Sequence, residues 1–276
     1  MPLLHVESMS DERVACYRNL KDRELAREGG LFIAEGEHVV KRLLESEMAV
    51  ASVLVASSKL DRITSLLRED TDVYVAAESV VNDVLGFKFH SGMMACGVRP
   101  VGLSITSLIQ SWTQDATRQR TLLICPQVIN HDNLGSLIRI GAAFGVDAMV
   151  LGPTSCDPFW RRSVRVSMGT VFYLPIVRSD DLTRDMNMMR NQAGVELIAT
   201  VIDDDAQPLH RSSRAARVGV VVGNESQGLL PSELAWCDRR VTIPMKLGTD
   251  SLNIAVATGV ALYHFTQGCE PEIGAV

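Results

Sequence analysis

Residues 218–233 read VGVVVGNESQGLLPSE, and the fold turns on how this stretch is parsed. A valine-rich run at 218–222 meets Gly223, passes through an Asn/Glu/Ser/Gln/Gly turn and enters a helix-like segment. A short, continuous apolar run bounded by turn residues is the pattern of a strand buried on both faces. Two other segments repeat the strand, turn and helix succession: NHDNLGSLIRIGAAFG at 130–145, after an apolar run at 122–125, and VTIPMKLGTDSLNIAVATGVALYHF at 241–265. A strand feeding such a turn brings backbone N–H groups and small polar side chains to the carboxyl edge of a parallel sheet. In α/β proteins that edge is where ligands bind.

Working outward from these segments, residues from Thr121 onward alternate strand and helix. Strands are expected at 122–125, 148–151, 196–201, 218–222 and 240–243, with a last helix over 252–265. Residues 101–119 are polar and mixed, suited to a linker or a joining helix. Residues 1–100 form a smaller α/β unit. In it a polar helical stretch over 11–28 stops at Gly29-Gly30, strands fall at 31–34, 51–56, 73–75 and 93–98, and helices start near 35 and 58 and run through 84. The expected organisation is therefore α/β throughout: a domain over 1–100, a linker over 101–119 and a parallel-sheet domain over 120–276.

Composition narrows the classes. A chain of 276 residues with 46% hydrophobic content folds around a core. No apolar run approaches the roughly 20 residues that span a bilayer, and the opening MPLLHVESMSDER lacks the basic and apolar parts of a secretory signal. The six cysteines are scattered without a C-x-x-C pair, which argues against a zinc site or a disulfide framework and for reduced thiols in a cytoplasmic protein. A net charge of −6 weighs mildly against a nucleic-acid partner, but what decides binding is where charges lie. Basic clusters occur at Arg161, Arg162 and Arg165, at Arg211, Arg214 and Arg217, and at Arg239 and Arg240, with acid concentrated at 203–205. No G-x-G-x-x-G turn follows a strand, so a Rossmann-type dinucleotide site is excluded.

The turns hold the chemistry. Asn133 sits at a helix start, where its side chain can cap free N–H groups. Arg139 follows among small neighbours, Gly135, Ser136, Ala142 and Ala143, in a slot that a phosphate or ribose could enter; the plain alternative is an arginine on a solvated helix face. Gly223 ends its strand and lets the backbone approach a ligand, Asn224 and Glu225 follow, and Gly228 closes the turn. The carboxylate there holds either backbone amides or a ligand group, or it is merely solvated. In the third segment Ile243-Pro244-Met245 precede Ser251-Leu252-Asn253 at a helix start, with Ser251 as cap and Asn253 in the first turn. The helix that follows is apolar on nearly every side, as befits a core or an interface.

In order and spacing these three segments resemble the motifs of the SpoU-type, or TrmH-like, RNA ribose 2′-O-methyltransferases of the knotted SPOUT superfamily. GNESQG is similar to the family's GNExxG, and the third segment to its IPM…SLN; where many relatives carry Pro-Gly, this chain has His131-Asp132. The resemblance spans 120–267 and, in looser form, 10–98, where FIAEGEHVVKRLLES (32–46) looks like an N-terminal substrate-binding domain. DPFWRRSVRVSMGTVFYLP (157–175) is similar to the region between motifs, and its arginines either contact phosphates or form a solvated basic face.

The resemblance implies a parallel-sheet domain with a deep trefoil knot, a rare exception to unknotted topology. It implies S-adenosyl-L-methionine as methyl donor with no metal, an rRNA or tRNA acceptor, and a homodimer formed through the C-terminal domain. By position it assigns Asn133, Arg139, Glu225, Ser251 and Asn253 to the reaction site. To the donor pocket it assigns Gly223, Asn224, Gly228, Ile243, Met245, Leu252 and Asn253. Residues 1–100 lack these motifs and carry Arg18, Lys21, Arg23, Arg27, Lys41 and Arg42, so RNA holding is their expected task. A chain without them is expected to keep its fold and its donor site. The alternative is a non-catalytic RNA-binding protein with a decayed donor pocket.

Overall fold

The β-branched runs become the strands of two sheets in a computed structural model that describes residues 3–8, 10–18, 22–85, 91–112 and 118–268. The chain divides into two units, residues 1–101 with 157–173, and residues 102–156 with 174–276.

In the first unit, β1 (Leu3–Val6), α1 (Asp22–Gly29), β2 (Leu31–Glu35), α2 (Glu37–Glu45), β3 (Val50–Ala56), β4 (Asp72–Ala76), α3 (Glu78–Leu85) and β5 (Met93–Val98) follow in order. Their five-stranded sheet runs β1-β4-β3-β5-β2. β1, β4 and β3 are mutually parallel, and β5 is antiparallel to both β3 and β2. The expected helix over 11–28 is two pieces: a 3-10 helix, Glu12–Tyr17, opened by Asp11, whose side chain accepts from Arg13 N, and then α1. The expected helix from 58 is instead a pair of 3-10 turns, Ser57–Arg62 and Thr64–Leu66. Serine, threonine and aspartate there compete for backbone partners, as Thr64 Oγ1 does in donating to Leu60 O at 3.0 Å.

The second unit contains α4 (Ile105–Trp112), β6 (Arg120–Cys125), α5 (His131–Ala143), β7 (Ala148–Leu151), β8 (Ile176–Arg178), α7 (Leu182–Ala193), β9 (Glu196–Thr200), β10 (Gln207–Pro208), β11 (Arg217–Val222), α8 (Pro231–Leu234), β12 (Arg239–Thr242) and α9 (Ile254–Tyr263); α6 (Arg161–Val166) lies in the first unit. Seven strands in the order β10-β12-β9-β11-β6-β7-β8 pair in parallel throughout. The expectation of a parallel α/β sheet holds. β11 lies at its centre, with Val218, Val220 and Val221 wholly buried. On one face α4 and α7 contribute Ile105, Leu108, Ile109, Trp112, Met186 and Met189 to the core. Residues 101–119 thus include a helix with one buried face; 113–117 lie outside the described residues. From β6 the chain moves outward through β7 and β8, then returns to build β9, β11 and β12 on the other side. This reversal sets the loops after β6 and β11 side by side, the place where open α/β sheets receive ligands.

Residues 157–173 pack with the first unit. Phe32 of β2 meets Phe159 at 5.1 Å and Phe172 at 5.6 Å between ring centroids. Gly97 makes room for that aromatic cluster, since a Cβ there would sit 2.3 Å from the Phe32 ring. Arg99 clamps Asp157 through Nη1 at 3.0 and 2.7 Å and lies over the Phe159 ring at 5.6 Å. Against the expectation that the chain keeps its fold without residues 1–100, residues 157–173 belong to the first unit and pack with it. Deleting residues 1–101 leaves Phe159 and Phe172 without their partners, at a cost of about 1.5–3 kcal/mol for each large apolar side chain left exposed. The truncated chain should bind the dye ANS at neutral pH, and Phe159→Ser with Phe172→Ser should suppress that signal; a truncation that binds no dye and melts as the whole protein does would refute the coupling.

Candidate active site

α5 starts at Asn130, whose Oδ1 accepts from Asp132 N at 2.7 Å and Asn133 N at 3.3 Å. Asn130 is therefore the cap, and Asn133, expected in that role, lies one turn in with its side chain free for other partners. Asn133 Nδ2 donates to Glu225 Oε1 at 3.1 Å, and its Oδ1 accepts from Asn253 Nδ2 at 3.2 Å. Asn253 also corrects the sequence expectation: it caps α9 by accepting from Ala255 N at 2.8 Å, with Ser251 two residues outside the helix. A cap residue has extended backbone immediately before the first helical residue, and Asn253, at φ −53° and ψ 140°, meets that condition.

Glu225 is held from two further directions, by Asn130 N at 3.4 Å on Oε1 and Asn224 Nδ2 at 3.3 Å on Oε2. Its turn is closed on itself: Asn224 N donates to Gly228 O at 2.9 Å and Gly228 N to Asn224 O at 3.0 Å. Asn224 Oδ1 accepts from Ser226 N and Gln227 N at 2.9 and 3.2 Å. Gly223 has to be glycine here, because a Cβ would lie 2.4 Å from the backbone carbon of Gly228. In the third loop Leu247 and Gly248 both take left-handed backbone, φ +59° and +67°. Leu247 is fully exposed there, although a branched side chain is disfavoured in that region.

Around these loops lies a cavity of about 640 Å³, within the range of small-molecule sites. Its wall includes every residue assigned above to the donor pocket, together with Asn133, Glu225 and Ser251. Sequence reasoning missed Thr200, Val201 and Ile202 at the end of β9, Leu209, and the α9 residues Ile254, Ala257, Thr258 and Ala261. The carboxyl end of a predicted parallel strand was the available signal for the first three. Arg139 stands apart: it is exposed on α5, outside the cavity wall, with no hydrogen bond or ion pair among the described residues. Cys125, buried at the end of β6, has its thiol pushed well up by burial and by the nearby Glu225 charge, so it is no nucleophile at neutral pH. Among the described residues no cluster of three or more His, Cys, Asp or Glu could hold a metal, and no helix is long and apolar enough to cross a membrane.

The basic clusters are largely engaged within the fold. Arg161 and Arg165 pair with Glu35 at 3.4 and 3.3 Å. Arg214 is 4% exposed and donates to Phe265 O at 2.6 Å and Arg120 O at 3.2 Å. Arg217 donates to Ala193 O at 2.7 Å, Arg239 to Glu196 Oε2 at 3.0 Å, and Arg240 pairs with Asp203 at 3.9 Å. In the first unit Arg18 donates to Asp11 O at 2.6 Å, Lys41 pairs with Glu37 at 2.9 Å, and Arg42 donates to Met168 O at 2.5 Å. Lys21 and the side chains of Arg23 and Arg27 lie outside the described residues.

A parallel α/β sheet with a cavity at its carboxyl edge, walled by three polar loops, defines a ligand-binding α/β domain. The model of the SpoU rRNA methylase family matches residues 120–263, and the chain belongs to that family. It is 33% identical, over 93% of its length and 89% of the relative's, to a protein of Mycobacterium tuberculosis named an uncharacterized tRNA/rRNA methyltransferase. It is 27% identical to the 23S rRNA (guanosine(2553)-2′-O)-methyltransferase RlmP of Bacillus subtilis, over 94% of this chain and 98% of that one. In fold it is similar to an rRNA methyltransferase from Sinorhizobium meliloti, with a TM-score of 0.78 at 24% identity over 95% and 96% of the two chains.

Gly223→Ala tests the closed turn. The added methyl meets backbone rather than a flexible side chain, so unfolding free energy should fall by about 1–3 kcal/mol, as for other overpacked positions. Denaturant titration measures it, and an unchanged midpoint would mean that the turn is open in solution.

Proposed function

We propose that this protein transfers a methyl group from S-adenosyl-L-methionine to a ribose 2′-hydroxyl in structured RNA, ribosomal or transfer. The observation that carries the reading is the hydrogen-bonded line Glu225–Asn133–Asn253, which joins the three family motifs at one cavity. The cavity fits an elongated, part-apolar, part-polar ligand: Ile243, Met245 and Leu252 offer apolar wall, and the loops offer backbone donors and acceptors. An open space of about 640 Å³ argues against a decayed donor site.

When bound, S-adenosylmethionine supplies a sulfonium-activated methyl group, which needs no metal. The work left to the chain is the acceptor, since a ribose hydroxyl is barely ionised at neutral pH. Glu225, Asn133 and Asn253 hold one another in fixed rotamers and so present a preformed wall for alignment, the effect from which catalysis gains most when reacting groups are pre-oriented. Arg139 orients the neighbouring phosphate and stabilises developing alkoxide charge. Its guanidinium, with a pKa above about 12, is a poor base but a strong, permanent donor. That it has no partner among the described residues supports that role.

We assign homodimerisation to the second unit. Val256, Val260 and Tyr263 recur at helical spacing on α9 and remain 53%, 41% and 58% exposed, an apolar stripe that a second copy would cover. The order β12-β9-β11-β6, with α9 returning to pack on α5, is consistent with a trefoil-knotted chain end. Residues 1–100 are assigned to holding RNA, and the protein to the cytoplasm.

Arg139→Ala should leave S-adenosylmethionine binding unchanged in calorimetry while lowering tritium-methyl transfer to RNA by about 10² or more, the scale of losing a transition-state donor. Undiminished transfer would remove Arg139 from the reaction. Val260→Asp should convert a dimer to monomers in light scattering; a wild-type protein that is already monomeric at micromolar concentration would remove the dimer. Mapping 2′-O-methyl sites in RNA from cells lacking the protein tests the whole reading, and an unaltered map would defeat it.

A further inference from the structure

Two cysteines that lie far apart in the sequence meet in the core of the first unit. β3 and β5 pair with Ser52 directly opposite Cys96, and directly paired residues present their side chains on the same face of a sheet. The 3-10 helix Glu12–Tyr17 covers that face: Val14, Tyr17, Leu54, Met94 and Cys96 share one core cluster, and Cys16 lies against it. Tyr17 Oη and Ser52 Oγ, from residues adjacent to the two cysteines, share a hydrogen bond of 2.8 Å. The two sulfurs are themselves in contact. The Cys96 thiol donates a hydrogen bond to Cys16, and the Ser52 hydroxyl donates a second. Exposure separates the pair: Cys96 is 1% exposed, whereas Cys16 is partly open to solvent.

One thiol that solvent reaches, with a second directly behind it, is the arrangement of an attacking and a resolving cysteine. We infer that Cys16 and Cys96 form an oxidation site, at which a peroxide converts the pair to a reversible disulfide. The peroxide takes two electrons from the Cys16 sulfur, its O–O bond breaks, and Cys16 becomes a sulfenic acid as one water leaves. The Cys96 sulfur then attacks the Cys16 sulfur. The S–O bond breaks, and the Cys96 proton departs with the hydroxyl as a second water. Two thiols and one peroxide thus give one disulfide and two waters. The hydrogen bonds from Cys96 and Ser52 hold the Cys16 thiol below its usual range, which favours the thiolate that attacks peroxide. The bond to Cys16, and then burial, push the Cys96 thiol far up, so Cys16 reacts first. Once Cys16 is a neutral sulfenic acid, the acceptor that held the Cys96 proton has gone. Cys125 and Cys237 differ: burial pushes both thiols up, with the charge of Glu225 adding to the first and that of Asp238 to the second. The disulfide fastens the 3-10 helix to β5 and keeps Cys16 from irreversible oxidation. The site lies wholly within the first unit and does not depend on the methyl-transfer reading.

The test uses the full-length reduced protein, treated with hydrogen peroxide, alkylated in denaturant and digested for mass spectrometry. The expected product is a peptide pair joined through Cys16 and Cys96, lighter by two hydrogens and released by dithiothreitol. It should be the predominant cross-link, and it should form at doses that leave Cys125 and Cys237 reduced. Cys96→Ala removes the resolving thiol, so the sulfenic-acid reagent dimedone should label Cys16 several-fold more than in the wild type. Cys16→Ser should leave Cys96 reduced at the same doses, because solvent does not reach it. A wild type in which Cys16 passes to sulfinic acid without the joined peptide overturns the inference, as does a predominant cross-link through any other pair. Cys16 that stays reduced at doses oxidising free cysteine in the same solution also overturns it. The wild-type peptide map decides by itself, so a variant that fails to fold leaves the test intact.

Discussion

A carboxylate can only accept hydrogen bonds and a backbone N–H can only donate them, and the site is strung between one of each. Glu225 takes the Asn133 amide nitrogen, so the Asn133 oxygen is left to accept; Asn253 supplies that donor, and its own oxygen is held by Ala255 N. Both asparagine amides are thereby oriented from the two ends of the line. An aspartate in either position would set acceptor against acceptor, and a leucine would break the line. Such bonds contribute only about 0.5–1.5 kcal/mol each, or about 1.5–3 where one partner is charged. Their main effect is geometric. Residue 133 lies in the first turn of α5, 225 in the turn after β11 and 253 at the cap of α9, and the line fixes these three segments against one another at the cavity rim.

That line is possible because of where the strand order reverses. β6 and β11 are neighbours with parallel direction, so their carboxyl ends open at the same edge, and the two loops leave side by side. The closed turn at 224–228 then keeps Glu225 beside the start of α5. The same economy governs charge. In an acidic protein that is proposed to handle RNA, most arginines of the apparent basic clusters are occupied with carboxylates or with strand and helix ends. Arg214, for instance, caps the chain after α9 through Phe265 O. A cation near the carboxyl end of a helix is favoured by the aligned peptide dipoles. Arg139 differs in having no such engagement among the described residues.

β6 and β11 were legible because each holds a continuous apolar run, ended by Pro126 in one and Gly223 in the other; β12, with Arg239 and Arg240 in it, was legible only from the Ile243-Pro244-Met245 motif that follows it. The site residues were legible by spacing, but their local roles were not. Asn130 and Asn133 are both good cap residues, as are Ser251 and Asn253. Which one caps depends on where the backbone turns helical, a boundary that propensity places only to within a residue or two. β8 and β10 are three and two residues long, too short to carry alternation. α7 did carry a signal, Leu182, Met186, Met189 and Ala193 along one face, diluted by the arginines and asparagines between them. The arginine clusters misled for a different reason: sequence shows that cations are adjacent but not that Glu35, Glu196 or a row of carbonyls will face them.

Least visible of all was the fate of residues 157–173. Any two adjacent parallel strands need a crossover of a dozen or more residues, and these lie in the crossover from β7 to β8. Here that crossover also completes the first unit, through Phe159 and Phe172 against Phe32 and through Asp157 against Arg99. The chain consequently passes between the units at 101/102, 156/157 and 173/174. Two domains joined by a single linker can lose structure independently, because nothing in one holds the backbone of the other. In this protein, unfolding the first unit frees both ends of a segment on which the spacing of β7 and β8 depends, and unfolding the second releases the ends that keep Phe159 and Phe172 in place. The two units are therefore linked covalently by three chain crossings rather than by one linker.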